Sequence, residues 1–74
     1  MQVYSTTDIV LAAYLKVKGF RIQKIDKLGT MGTFFFVDVE EDVLNEFHLG
    51  QSLVEPVAFN NAVKFLTTSV RRMG

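Results

Sequence analysis

Apolar residues in this chain come in blocks whose spacing changes from helical to extended and back to helical. Ile9-Val10-Leu11-Ala12-Ala13-Tyr14-Leu15 is apolar at every position, whereas a helix on a protein surface needs only one apolar stripe. Ser5 and Asp8 have the spacing of a capping box at its start, and Gly19 sits where a helix ends in the left-handed region. Lys16 and Lys18 complement the negative end of that helix. A helix apolar all round needs cover on more than one side, and a chain this short has little material for it. The pattern therefore predicts self-association, with Leu11 and Tyr14 among the interface residues.

After Gly19 the period becomes two. Phe20-Arg21-Ile22-Gln23-Lys24-Ile25-Asp26-Lys27 alternates, but Phe20 and Ile22 share one face while Ile25 falls on the other. A one-residue slip flips every side chain, so a bulge or bend is expected near Gln23-Lys24. Leu28-Gly29-Thr30-Met31-Gly32 reads as a turn with two glycines able to take positive φ. Thr33-Phe34-Phe35-Phe36-Val37-Asp38-Val39, dense in aromatic and β-branched residues, is the strongest strand signal. Phe35, Val37 and Val39 line one face, and Phe34 and Phe36 the other. Two apolar faces imply two covers, which adds Phe34 and Phe36 to the expected oligomer interface.

Glu40-Glu41-Asp42 places negative charge at a helix start, Val43, Leu44 and Phe47 form its stripe, and Gly50 ends it. Gln51-Ser52-Leu53-Val54 is a connector able to form a short edge strand, and Pro56 suits the first position of a last helix. There Phe59, Ala62, Val63, Leu66, Val70 and Met73 recur at helical spacing, with Asn60, Asn61, Lys64, Thr67 and Thr68 wet. Two strands joined by a short turn run antiparallel. The expected fold is α+β, a helix, an antiparallel β-hairpin and two further helices, as a single-layer sheet packed by helices across residues 1–74 as one domain.

Composition narrows the staples available to so small a domain. There is no cysteine and one histidine, which removes disulfides and thiolate metal sites and disfavours a zinc site. Oligomerisation is the staple that remains unless an unusually dense core suffices, and a hydrophobic fraction of 49% with seven Phe agrees with extensive burial. Eight basic and eight acidic residues cancel, so no net field draws the chain to nucleic acid or an anionic membrane. Met1-Gln2-Val3-Tyr4 lacks the basic and apolar runs of a secretory signal. The longest apolar block falls far short of the ~20 residues of a bilayer crossing. A cytoplasmic location, in a cell or an infected cell, is expected.

Few residues suggest chemistry. Asp38, Glu40, Glu41 and Asp42 read as a strand end running into a solvated helix start, without the spacing of a calcium or magnesium loop. His48 has no nucleophile motif beside it and reads as a helix-end histidine whose ring bonds a free carbonyl. Gly29 and Gly32 do not make a phosphate loop, because no Gly-Lys-Ser/Thr follows. Lys16, Lys18, Arg21, Lys24 and Lys27 hold five of the eight cations, just before the Phe-rich strand. Basic residues beside aromatics on a sheet can stack single-stranded bases, which supplies the alternative function.

Thr6-Thr7-Asp8, Leu11-Ala12-Ala13-Tyr14-Leu15, Lys18-Gly19-Phe20, Glu46-Phe47, Gly50 and Val54-Glu55-Pro56 with Phe59 and Ala62 resemble a family of small phage and bacterial proteins. That family is known as a domain of unknown function. The resemblance covers most of the chain, in caps, stops and core positions. It departs at Glu55, where an aspartate is expected before Pro56, and this implies a looser helix start. It implies a compact accessory protein and carries no catalytic residue or cofactor. The expected function is a non-enzymatic, homo-oligomeric interaction module, most simply a dimer with an unidentified protein partner and no membrane. The alternative is a small single-stranded nucleic-acid binder.

Overall fold

The first strand begins where the sequence offered only a helix cap. The structure, a computed structural model, describes residues 2–50 and 53–73. Along the chain run β1 (Val3–Thr6), α1 (Ile9–Val17), β2 (Ile22–Leu28), β3 (Met31–Val37), α2 (Glu41–His48) and α3 (Pro56–Arg72). The strands form one antiparallel sheet in the order β1-β3-β2. The fold is a small α+β fold, as the sequence implied, with one strand more than expected.

β1 takes Ser5 out of the capping box, pairing it with Phe35 in the ladder. Asp8 is the N-cap of α1, its carboxylate accepting from the N–H groups of Val10 at 2.9 Å and Leu11 at 3.4 Å. Thr6 Oγ1 accepts from the Asp8 N–H and steadies that cap. The far end of α1 closes as expected. Gly19 has φ 97°, its N–H donates to Lys16 and the Phe20 N–H donates to Leu15, the paired bonds of a Schellman stop.

β3 spans Met31–Val37 rather than Thr33–Val39. Leu28 pairs with Met31 around a two-residue Gly29-Thr30 turn, with Gly29 at φ 64°. Gly32 is a strand residue without positive φ, a correction to the expected turn. At the other end Asp38 has φ 54° and turns the chain, so Val39 packs on the core instead of extending the Phe35 face. Asp38 also clamps β1, donating its N–H to the Gln2 carbonyl and accepting the Gln2 N–H on its carboxylate. The bulge falls where expected, since Ile22 pairs with Phe36 and Lys24 with Phe35. The extra residue, Gln23, brings Ile22 and Ile25 to one face.

That face carries the core, made of Leu11–Leu15 of α1, Phe34 and Phe36 of β3, and Ala62 and Leu66 of α3. Five consecutive helical residues are buried because α1 has three neighbours. The sheet's Phe34 and Phe36 meet it, α3 packs along it, and Phe47 of α2 lies 5.4 Å from the Tyr14 ring. A nine-residue helix needs less cover than its pattern suggested, and this one chain supplies it. α2 ends with Gly50 at φ 72° and lays Val43, Leu44 and Phe47 on the core. Glu55 caps α3 with both carboxylate oxygens, accepting from the Val57 N–H at 3.1 Å and the Ala58 N–H at 2.6 Å. The helix start is therefore capped, not left loose. Of the expected edge strand, Leu53 and Val54 are irregular, while Gln51 and Ser52 lie outside the described residues.

Candidate functional site

Side chains alternate across a strand, so the register of β3 fixes what the second face of the sheet displays. Phe35, Val37, Thr33 and Met31 have the parity opposite to Phe34 and Phe36. Their ladder partners are Ser5, Lys24, Val3, Asp26 and Leu28. Leu28 is 86% exposed, Met31 58% and Val3 50%. Phe35 and Val37 are half-buried. Phe35 is shielded by a neighbour on its own sheet, since Lys24 Nζ sits 4.9 Å from its ring centroid. Lys24 also pairs with Asp26 at 3.4 Å, both side chains being well exposed. Such a pair contributes under about 1 kcal/mol; its effect is to leave this face neutral.

The residues expected at an oligomer interface lie elsewhere. Leu11, Tyr14, Phe34 and Phe36 are 3%, 1%, 2% and 0% exposed, so they build this chain's own core and offer nothing to a second copy. Tyr14 reaches the edge of the core with its hydroxyl, which donates to Glu46 Oε2 at 3.4 Å. Burial, and then the nearby Glu46 carboxylate, push its pKa above the ordinary tyrosine value. Both faces of β3 are apolar, and the one the sequence suggested for an interface is the one that this chain buries itself. The alternation marks two faces but not which of them the helices take.

The five basic residues do not converge. Lys24 looks across the open face, and Arg21 borders its end beside Val37. Lys27 pairs with Gly32 on the helix-facing side. Lys16 lies 4.4 Å over the Phe65 ring of α3, and Lys18 5.5 Å over Tyr14. No single track collects them. Among the described residues no group of three or more His, Asp or Glu stands close enough to hold a metal ion. His48 is exposed at the end of α2, its ring edge-on to Phe47 at 5.8 Å, and no bond from that ring to a carbonyl is present among the described residues.

The model of one family, a domain of unknown function designated DUF5659, matches residues 1–68. The chain belongs to the DUF5659 family. No curated protein and no solved structure matches it significantly. The DUF5659 match takes in the whole sheet, α1, α2 and most of α3, and leaves the last turn of α3 beyond it. No helix among the described residues is long and apolar enough to cross a membrane.

A second apolar patch also escaped the sequence reading. Val57 is 62% exposed and Phe65 50%, both on α3. The core stripe of Phe59, Ala62, Val63, Leu66 and Val70 masked it, because the helix was read as one apolar face against one wet face.

Proposed function

We propose that this chain is a non-enzymatic interaction module that works as a homo-oligomer, most simply a twofold dimer, in a phage or bacterial accessory role. The observation that carries the reading is the open face of the sheet, where Val3, Leu28 and Met31 stand exposed around Phe35 and Val37. A twofold interface must be self-complementary. This face meets that condition, since Lys24 and Asp26 side by side cancel and can exchange partners with the same pair on a second copy. Zero net charge on the whole chain removes the long-range repulsion that two copies would otherwise feel.

The non-enzymatic part rests on how the carboxylates are used. Asp8 and Glu55 cap helices, Asp38 clamps β1, Asp26 pairs with Lys24 and Glu46 accepts from Tyr14. These five of the eight carboxylates serve the fold. A cytoplasmic location accords with this role.

Single-stranded nucleic-acid binding has one supporting observation, Phe35 on the central strand of an open sheet beneath Lys24. It ranks second. One half-buried ring offers little stacking, and its cation is shared with Asp26. Light scattering at micromolar concentration separates the readings, with a mass of at least twice the 8.4 kDa chain expected and the monomer alone contradicting it. Anisotropy with labelled single strands across a salt series is expected to show no binding tighter than about 10⁻⁵ M at physiological salt.

A further inference from the structure

Where the hairpin end, the start of α1 and the last turns of α3 meet, the surface forms an open concavity. Its volume is about 440 Å³, within the range of roughly 300–1,000 Å³ typical of small-molecule sites. Ile9, Phe34 and Val70 give it an apolar floor, while Thr30, Thr67 and Arg71 stand among its polar lining. We infer that this cavity binds a small apolar molecule ending in a carboxylate, of the size of a medium-chain fatty acid. The inference goes beyond the oligomer reading and does not rest on it: Met31 borders both the cavity and the open sheet face, but Phe35, Val37 and Leu28 take no part.

Three features point to that chemistry. Among the described residues Arg71 is the sole charged one in the lining, and the only ion pair is Lys24 with Asp26, so the planar fork of Arg71 donors has no carboxylate partner among them. A guanidinium matches a carboxylate in two parallel hydrogen bonds. Threonine hydroxyls beside it can donate to the same oxygens, and a floor of Ile9, Phe34 and Val70 takes the alkyl part. The nearest capping acid, Asp8, binds the N–H groups of Val10 and Leu11 and does not line the cavity. A polyanion fits poorly, since one cation over an apolar floor would leave further charge unpaired. The cavity is also set by packing rather than by a loose loop, because α3 closes directly over the bare Cα of Gly32.

The test is an NMR titration of the full chain with octanoate, kept below its micellar range, and in parallel with octylammonium. Octanoate is expected to give saturable amide shifts at Ile9, Gly32 and Val70, and octylammonium none. Arg71→Gln, at an exposed position, should keep the native spectrum and weaken octanoate binding by about tenfold or more, the size of a lost charge-assisted hydrogen bond. Thr67→Phe, which fills the cavity from its rim, should abolish the saturable shifts. Absence of saturation, equal response to the two amphiphiles, or unchanged affinity in Arg71→Gln would overturn the inference.

Discussion

Gly32 of β3 lies under Val70 of α3 so closely that a Cβ on the glycine would stand 2.5 Å from one valine methyl and 3.3 Å from the other. The glycine is therefore a spacing residue, where the sequence pattern had placed a turn glycine. Val70 is β-branched on a helix and stiff at χ1, so it cannot swing clear without cost. Gly32→Ala is expected to lose about 1–3 kcal/mol of stability through overpacking. Adding Val70→Ala should return part of that loss, so the double mutant is more stable than the two single effects sum to. Urea unfolding of the four proteins measures it, and strict additivity would show that the two side chains do not meet.

Gly19 makes the opposite case. Nothing lies within 4 Å of the position its Cβ would take, yet its φ is 97°. Here the cost of Gly19→Ala is conformational, about 1 kcal/mol. Gly19→Asn should cost less, because asparagine tolerates the left-handed region better. Equal unfolding midpoints for wild type and Gly19→Ala would mean that the helix can end another way.

The start of α1 gives a paired prediction. Asp8→Ala removes the side chain that caps Val10 and Leu11, and should cost about 1 kcal/mol. Ser5→Ala changes an exposed residue of an edge strand and should stay within about 0.5 kcal/mol. Thermal melts of the two variants distinguish this cap from a box closed by Ser5, which would make both losses comparable.

Tyr14 links burial to alkaline stability. Its folded pKa is raised above 10.0 by burial first and by Glu46 second, so the folded state favours the neutral phenol. The unfolded chain gives up that proton at lower pH than the folded one. The stabilisation is complete below pH 10.0 and is lost as pH rises through the elevated folded value. Tyr14→Phe should remove this alkaline component while leaving neutral-pH stability within about 1 kcal/mol, the worth of one hydrogen bond. Unfolding midpoints of both proteins from pH 8 to pH 11 test it, and parallel curves would contradict it.

What the sequence made legible follows from how local each signal is. The stop at Gly19, the bulge at Gln23, the helix beginning at Glu41 and the Pro56 start of α3 are written in neighbouring residues, and all stand as expected. β1 was missed because its four residues overlap a run of Ser and Thr that also reads as a helix cap. Its partner, β3, is roughly thirty residues away. The bidentate cap of Glu55 was underestimated because propensity averages a residue type over many starts. The residues expected at an interface proved to be core for a related reason. Periodicity separates the Phe34 face of β3 from the Phe35 face, but which one is buried is decided by the route of α1 and α3, a long-range fact.

The open face of the sheet is the central claim, and Met31 tests it most directly. Met31→Lys puts a charge on a residue already 58% exposed on that face, so the fold should survive. Phe65→Lys, at the separate patch on α3 where exposure is 50%, is the control. Sedimentation velocity over a concentration series from low micromolar upward is expected to give a dimer for wild type and Phe65→Lys, and a monomer for Met31→Lys. A monomeric wild type throughout, or a dimer broken by Phe65→Lys and untouched by Met31→Lys, would contradict the account.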